Sequence, residues 1–371
     1  MKKVIIAPDS FKGVLSAKRV ADIITEELSA AFPDCMIVKM PIADGGEGSV
    51  ETIISAVGGK ITETRVLSPD DKEITAYYGI TDNGTAILEM AQSSGLTRQT
   101  GLNPMSSTTY GFGQLILAAL DSGACKFILC IGGSATTDGG CGMAAALGVR
   151  FLNADGDCFI PSGGTLGAIE KIDAGKMDKR IAGCSFTVMC DVDNPLFGMR
   201  GAAYVYGPQK GANPEQVRVL DAGLRHYSSV LTKHSGSDLS GIPGAGAAGG
   251  LGAGCIYFLG AKLMSGIEAI LDICNFKEHL PGTGLIITGE GKLDIQSFQG
   301  KVLSGILREA GDVPVWSVCG ICDCDRQFLN EHKVKAFETS EGISAEESMR
   351  DCEQHLRTAV KRLAKEAMNS L

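Results

Sequence analysis

The chain has 371 residues, of which 44% are hydrophobic, and this predicts two or three domains with a large buried core and excludes a disordered chain. The 34 basic and 43 acidic residues give a net charge of -9, so binding to nucleic acid is not expected. Glycine is unusually frequent, with 49 residues, and we therefore expect the protein to present backbone more than aromatic surface to its ligands.

The N-terminal residues predict two β-α units of a parallel sheet. The run V-I-I-A-P-D-S-F indicates a strand and a loop, after which Ser16 is expected to cap an amphipathic helix over 17–32. The run C-M-I-V-K-M-P-I-A-D repeats this pattern before a helix near 49–56. From 61 to 90, polar and apolar residues alternate between the turn signals S-P-D-D and T-D-N-G, which favours antiparallel hairpins.

The remaining elements complete an α/β fold. The middle of the chain predicts a helix near 112–121, capped by the hydroxyl groups of 106–109, and then a buried strand K-F-I-L-C-I. From residue 282 onward the predicted strands are L-I-I-T-G-E-G, V-P-V-W-S-V-C-G and V-K-A-F-E-T-S, with helices over 301–310 and 345–368.

The expected fold class is α/β, with two domains. Residues 1–60 and 282–371 are expected to form a doubly wound, Rossmann-like parallel sheet domain. Residues 61–281 are expected to form a second α/β domain inserted into the first.

Cysteine use and hydropathy predict the compartment. Thirteen unevenly spaced cysteines do not resemble a disulfide framework and are expected to be reduced thiols. The apolar run near the start is too short for the core of a signal peptide, and the uncharged stretch 239–261 has too many glycines for a membrane-spanning helix. We therefore expect a cytoplasmic protein without membrane contact.

Five glycine-rich loops carry acids, hydroxyls or lysines, namely D-S-F-K-G from Asp9, A-D-G-G-E-G from Ala43, G-G-S-A-T-T-D-G-G from Gly132, G-P-Q-K-G from Gly207 and T-G-E-G-K-L-D from Thr288. Glycine lets backbone N–H groups approach a phosphate, and a nearby carboxylate can hold Mg2+. A tight turn with a solvated acid is the alternative for each loop alone. Together the loops favour a phosphate and metal site at the carboxyl ends of the strands.

Most standard motifs fail when their context is checked. The G-K pairs at 291–292 and 300–301 are followed by leucine and valine, so neither completes the phosphate loop of a Walker-type NTPase. The string G-A-G-A-A-G at 244–249 fits the dinucleotide fingerprint, but no predicted strand precedes it. The histidines lack the spacing of metal ligands. The string C-G-I-C at 319–322 has the spacing of a redox motif, and buried or unreactive thiols are the alternative there.

A predicted strand in F-T-V-M-C-D-V-D-N-P brings Asp191 and Asp193 to a turn. An acid at the end of a strand is a candidate general base. The alternative is a carboxylate that only caps the chain reversal, and Asp193 fits that alternative better than Asp191.

Several strings together closely resemble the type I glycerate kinase family, and these are A-P-D-S-F-K-G, P-I-A-D-G-G-E-G, I-G-G-S-A-T-T-D-G-G, D-V-D-N-P-L-F-G, G-P-Q-K-G-A, P-G-A-G-A-A-G-G-L-G and I-T-G-E-G-K-L-D. The resemblance implies phosphorylation of D-glycerate with ATP and Mg2+, usually at the 2-hydroxyl to give 2-phosphoglycerate. It also implies an active site in a cleft between a Rossmann-like domain and an inserted α/β domain.

The resemblance and the loop chemistry assign candidate site residues. Asp191 is expected to be the catalytic base, with Lys12 as a catalytic donor to phosphate or to the substrate carboxylate. The residues expected to bind substrate are Asp9, Ser10, Asp44, Lys210 and Glu290. Those expected to face the nucleotide are Gly132, Gly133, Ser134, Thr137 and Asp138, and those expected to hold Mg2+ are Asp44 and Glu47. Lys292 stands where the family commonly has arginine, which would weaken a bidentate phosphate contact there.

Three alternatives stay open at this point. The product could be 3-phosphoglycerate, the chain could be an NAD-dependent hydroxy-acid dehydrogenase that uses 244–249, or it could be a non-catalytic sugar-acid binding protein. The expected partners are glycerate and a nucleotide, without nucleic acid or membrane, and the oligomeric state is not predicted.

Overall fold

The structure is a computed structural model that describes residues 2–11, 13–42, 46, 48–343 and 345–370. The strands are β1 (Lys3–Ile6), β2 (Met36–Lys39), β3 (Gly59–Leu67), β4 (Glu73–Thr81), β5 (Thr85–Glu89), β6 (Lys126–Cys130), β7 (Arg150–Leu152), β8 (Cys158–Phe159), β9 (Lys171–Asp173), β10 (Ser185–Met189), β11 (Lys262–Met264), β12 (Leu285–Leu293), β13 (Val315–Cys322) and β14 (Val334–Glu338).

The α-helices are α1 (Ala17–Ala31), α2 (Ser49–Val57), α3 (Ala91–Ser94), α4 (Tyr110–Asp121), α5 (Cys141–Ala146), α6 (Ala202–Tyr206), α7 (Pro214–Ser235), α8 (Ala247–Leu259), α9 (Gly266–Ile273), α10 (Phe276–His279), α11 (Val302–Ala310), α12 (Arg326–Glu331), α13 (Ala345–Arg350) and α14 (Cys352–Ser370). Within the described ranges, none of these helices combines the length and the apolar composition needed to cross a bilayer.

Contacts divide the chain into two compact units. The first comprises Met1–Asp44, Ser55–Gly58 and Ile267–Leu371, and the second comprises Gly45–Ile54 and Gly59–Gly266. The domain boundaries expected near 60 and 281 remain a prediction. In the structure, the segment after Gly266 lies with the first unit, because a Cβ atom at Gly305 of α11 would lie only 2.3 Å from Ile267 of α9.

The first unit contains a five-stranded parallel sheet in the order β14-β13-β12-β1-β2. Both faces of β1 are covered, since Val4 and Ile6 share a core with α1 and α14, and Ile5 on the opposite face is also fully buried. The strand order of this sheet is one of the two common orders of doubly wound folds, and it confirms the expected α/β class.

The helix ends of the first unit follow the sequence signals closely. Ser16 caps α1 as predicted, because its Oγ accepts the backbone N–H of Arg19 at 3.2 Å. The single helix predicted over 345–368 is wrong, since α13 and α14 are separated at Asp351. The carbonyl of Asp351 accepts the N–H groups of Gln354 and His355, and this starts α14 as a new helix.

The second unit has a six-stranded sheet in the order β11-β10-β6-β5-β4-β3 and a small antiparallel sheet of β7, β8 and β9. The strands β3, β4 and β5 pair antiparallel, which confirms the hairpins predicted over 61–90, whereas β5, β6, β10 and β11 pair parallel. The carboxyl ends of β6 and β10 lead into the loops that start at Ile131 and Cys190.

Candidate active site

A cavity of about 410 Å³ lies in the first unit, where the parallel strands end. The strand order reverses between β1 and β12, and open α/β sheets bind ligands at such a switch point. The loop after β1 contributes Asp9 and Ser10 to the cavity wall, and β12 contributes Glu290 and Gly291. Two loops that the sequence singled out therefore meet at one cavity.

Hydrogen bonds hold Asp9 at the seam between β1 and β12. Its backbone N–H donates to the carbonyl of Gly289 at 2.8 Å, and its Oδ1 accepts the backbone N–H of Ser10 at 2.6 Å. The hydroxyl of Thr288 donates across the same seam to the carbonyl of Ala7 at 2.9 Å. The strands themselves thus fix the direction in which this part of the cavity wall faces.

Glu290 is a partly buried carboxyl in the same wall. Burial raises its pKa to about 7, while a hydrogen bond from Ser297 and the charge of Lys301 act in the opposite direction. The hydroxyl of Ser297 donates to Oε2 of Glu290 at 2.6 Å. A carboxyl of this kind can exist in either protonation state near neutral pH, which suits proton transfer.

Two lysines line the cavity beside these acids. Lys301 precedes α11 and is not among the site residues predicted from the sequence, because its G-K pair completes no phosphate-loop motif. Its position in a glycine-lysine pair directly before a helix is the signal that could have found it. Lys292 also lines the cavity, but its ammonium group lies 2.6 Å from the carboxylate of Asp323.

In the second unit, the loop after β6 is held by a buried aspartate. Asp138 is inaccessible to solvent, and its Oδ2 accepts the backbone N–H of Thr109 at 2.7 Å, the hydroxyl of Thr109 at 2.8 Å and the N–H of Gly142 at 3.1 Å. Burial raises the pKa of this carboxyl above its usual range. Thr109 is one of the hydroxyl residues that the sequence predicts as caps of α4, but its hydroxyl donates to Asp138 and makes no capping bond.

Lys210 is buried against the same loop. Its Nζ donates to Oγ of Ser134 at 3.0 Å and to the carbonyl of Thr136 at 2.6 Å. Burial lowers the pKa of Lys210 to about 7, although the charge of Asp138 opposes this shift. The ammonium group therefore braces the loop and does not face solvent.

The five residues expected to face the nucleotide differ in accessibility. Ser134, Thr137 and Asp138 have buried side chains, whereas Gly132 is partly exposed and Gly133 is exposed. The loop thus presents its backbone at the two glycines and keeps its side chains inside. Gly133 has a φ of +76°, a conformation that favours glycine.

Asp191 and Asp193 follow β10 and are both exposed. Oδ1 of Asp191 accepts the backbone N–H of Gly266 at 2.8 Å, and Asp193 pairs with the exposed Arg200 at 3.2 Å. The remaining predicted site residues, Lys12, Asp44 and Glu47, lie outside the described residues.

The fold and the cavity together define a class of protein. A doubly wound sheet with acids and lysines at its switch point, and a separate glycine loop that exposes backbone, is typical of an enzyme that acts on small anionic molecules. Residues 4–368 match the model of the glycerate kinase family.

Known proteins agree with this match along the whole chain. A glycerate kinase from Bacillus cereus is 43% identical over 98% of this chain and 97% of its own. A glycerate 2-kinase from Escherichia coli K12 is 43% identical over 90% of this chain and 89% of its own. A crystal structure from Salmonella typhimurium LT2, assigned as glycerate kinase 2, has a TM-score of 0.88 and 37% identity, with 100% of both chains covered.

The chain therefore belongs to the glycerate kinase family, as its sequence strings predicted, and it is an enzyme that phosphorylates glycerate with ATP. The dehydrogenase alternative finds no support, because the described chain between α7 and α8 has no strand to precede residues 244–249.

Proposed function

We propose that the protein transfers the γ-phosphoryl group of ATP to the 2-hydroxyl of D-glycerate and releases 2-phosphoglycerate. The similarity to the Escherichia coli glycerate 2-kinase supports this regiochemistry over the 3-hydroxyl. We also propose a cytoplasmic location. The cysteines support it, because they form no disulfide within the described chain.

The cavity at the switch point carries this proposal. Glycerate offers hydroxyl donors and one carboxylate, and the cavity offers Asp9, Ser10 and Glu290 as hydroxyl partners and Lys301 as a cation. In-line phosphoryl transfer requires mainly that the hydroxyl is positioned and that negative charge is offset.

The loop at 132–138 is proposed to face the phosphates of the nucleotide. Its accessible part is the backbone of Gly132 and Gly133, and exposed backbone N–H groups are common phosphate ligands. We propose that Ser134, Thr137 and Asp138 support this loop from inside. Lys210, expected to bind substrate, is proposed to brace the loop, because its ammonium group is buried on Ser134 and Thr136.

Mg2+ is proposed to be held by Asp44 and Glu47, with the nucleotide phosphates as its other ligands. The described residues contain no group of three or more His, Cys, Asp or Glu side chains that could hold a metal by themselves. Two carboxylates agree with the usual coordination of Mg2+, which takes one or two carboxylates beside phosphate and water. The ion would offset charge on the transferred group, and Lys12 is proposed to assist it.

Phosphorus NMR of the reaction mixture tests the proposal. The protein with ATP, Mg2+ and D-glycerate should yield ADP and the resonance of 2-phosphoglycerate. 3-Hydroxypropionate, which lacks the 2-hydroxyl, and a mixture without protein are the controls. A resonance of 3-phosphoglycerate would contradict the regiochemistry, and no consumption of ATP with D-glycerate would contradict the activity.

A further inference from the structure

We propose that Glu290 is the catalytic residue that accepts the proton of the attacking glycerate hydroxyl, and that Ser297 is the positioning residue that orients it. This inference rests on the proposed function and deepens it, since it assigns the proton transfer to a carboxyl that the sequence predicts to be a substrate-binding residue.

The location of Glu290 is the first argument. Glu290 lies on β12, next to the switch point of the sheet, and lines a cavity that also contains Asp9 and Ser10. Its neighbour Gly291 approaches β13 so closely that a Cβ atom at Gly320 would lie 2.3 Å from the carbonyl of Gly291. The backbone next to the carboxyl is therefore held tightly, which limits the movement of a group that must meet the substrate in one geometry.

The hydroxyl of Ser297 provides the second argument. Ser297 is fully buried in a 3-10 turn, Ile295–Phe298, and its Oγ accepts the backbone N–H of Asp294 at 3.2 Å. The hydroxyl proton has two acceptors within reach, Oε2 of Glu290 at 2.6 Å and the carbonyl of Lys292 at 3.4 Å, and the much shorter contact is the one to Glu290. Within the described residues Oε1 of Glu290 accepts no hydrogen bond, so one oxygen is held and the other is available to a substrate in the cavity.

The charges around Glu290 oppose one another. Asp9 on the loop after β1 and Asp294 before the 3-10 turn disfavour its ionised form, and Lys301 before α11 favours it. Cys319 on β13 is the register partner of Glu290, and Lys292 follows two residues later on β12. Burial is the largest of the effects that raise the pKa of Glu290, to about 7, and the two acids add to it, so the group gains and loses a proton near neutral pH.

Asp191, the base expected from the sequence, has different surroundings. It is exposed, and its Oδ1 already accepts the N–H of Gly266 at 2.8 Å. Gly266 is the first residue of α9, so this contact places the carboxylate at the start of that helix. An exposed carboxylate is also less suited to accept a proton at neutral pH than one in a partly buried cavity wall.

The O–H bond of the glycerate 2-hydroxyl breaks and its proton moves to Oε1 of Glu290. The hydroxyl oxygen forms a bond to the γ-phosphorus while the bond from that phosphorus to the bridging oxygen breaks, and the electron pair stays on the β-phosphate of ADP. Glu290 then releases its proton to solvent once the product has left the cavity.

The test is the pH dependence of kcat and kcat/KM for the full chain with Mg-ATP and D-glycerate. In the wild type, the rate should rise with pH through an acidic limb near pH 7, where Glu290 ionises. Ser297→Ala removes a donor that stabilises the carboxylate, so the pKa of Glu290 should increase and the limb should move up by about one pH unit. Above the limb the variant should regain most of the wild-type kcat.

Matched variants separate this role from a structural one. Ser304→Ala removes a hydroxyl that donates to the carbonyl of Lys301, not to a carboxylate, and should leave the limb in place. Glu290→Gln should lower kcat by about 100-fold or more, and Asp191→Asn by less than about tenfold. Thermal unfolding of each variant verifies that it is folded.

The possible outcomes separate a failure of the role of Glu290 from a failure of the proposed function. A wild type that releases no ADP with glycerate would overturn the proposed function and the inference together. In an active enzyme, an unshifted limb in Ser297→Ala, or a loss equal at every pH, would overturn the inference alone. A folded Glu290→Gln with near-normal kcat, or an Asp191→Asn with the larger loss, would do the same.

Discussion

Two buried charged residues show how single side chains shape the loop of the second unit. Asp138 accepts N–H and hydroxyl groups from the starts of α4 and α5, and Lys210 donates to the loop itself. Buried charges persist only when they are hydrogen bonded, because removal from water is otherwise costly. These two residues therefore act on the loop conformation, and the accessible glycines meet the ligand.

Lys210 should leave a signature in the pH dependence of stability. Its pKa is lowered from 10.5 to about 7 in the folded protein, so the unfolded chain binds the extra proton between these two values. The free energy of unfolding should therefore rise with pH across this window, by on the order of 1.4 kcal/mol per pH unit. Below the window, the destabilisation caused by burying the charged lysine should be present in full. Urea unfolding at pH 7, 8 and 9 measures this rise.

In Lys210→Met this rise should be absent. The free energy of unfolding of the variant should therefore increase relative to that of the wild type as the pH falls from 9 to 7. Lys171→Met, at an exposed position on β9, is the control for loss of a lysine charge. Parallel pH curves for the wild type and Lys210→Met would show that Lys210 keeps an ordinary pKa in the fold.

At the scale of elements, the start of α8 fits against the loop after β6. Ala248, Gly249 and Gly250 are left-handed, and Gly249 accepts the N–H of Gly139 at 3.1 Å. A Cβ atom at Gly249 would lie 2.0 Å from the carbonyl of Thr136, so only glycine allows this approach. The glycine-rich string that resembled a dinucleotide motif serves helix-to-loop packing here.

Gly249→Ala should destabilise the protein by about 3 kcal/mol or more, because backbone strain and a backbone clash act together. Gly123→Ala is the matched control, since Gly123 also has a positive φ but has open space where its Cβ would be. The control should lose only about 1 to 2 kcal/mol. Urea unfolding compares the two, and equal losses would show that the close approach at Gly249 costs nothing.

For the whole molecule, Mg-ATP should raise the midpoint of thermal unfolding. A ligand at one hundred times its dissociation constant adds about 2.7 kcal/mol of stability, which corresponds to a shift of several degrees in a protein of this size. Differential scanning fluorimetry with Mg-ATP, with MgCl2 alone and with NADH makes the comparison. No shift with any nucleotide up to millimolar concentration would argue against nucleotide binding, and a shift with NADH alone would favour the dehydrogenase.

Local sequence signals predicted the strands of the first unit and several elements of the second. The apolar runs of β1, β12 and β13, the alternation over β3 and β4, and the Ser16 cap are each written within a few neighbouring residues. The loops at Asp9 and Glu290 were likewise visible as glycine, acid and lysine strings. The roles of Lys210, Ser297 and Lys301 were not, since nothing in a string says which way its side chains face.

By itself, the sequence determined the α/β class, the doubly wound sheet and the membership of the glycerate kinase family, because periodicity, turn residues and motif strings are properties of short segments. The tertiary structure decided which charged groups are buried and which line the cavity. Lys210 meets Ser134 from 76 residues away, and Asp138 meets Thr109 from 29 residues away. Burial and pKa depend on such distant partners, so they exist only once the chain has folded.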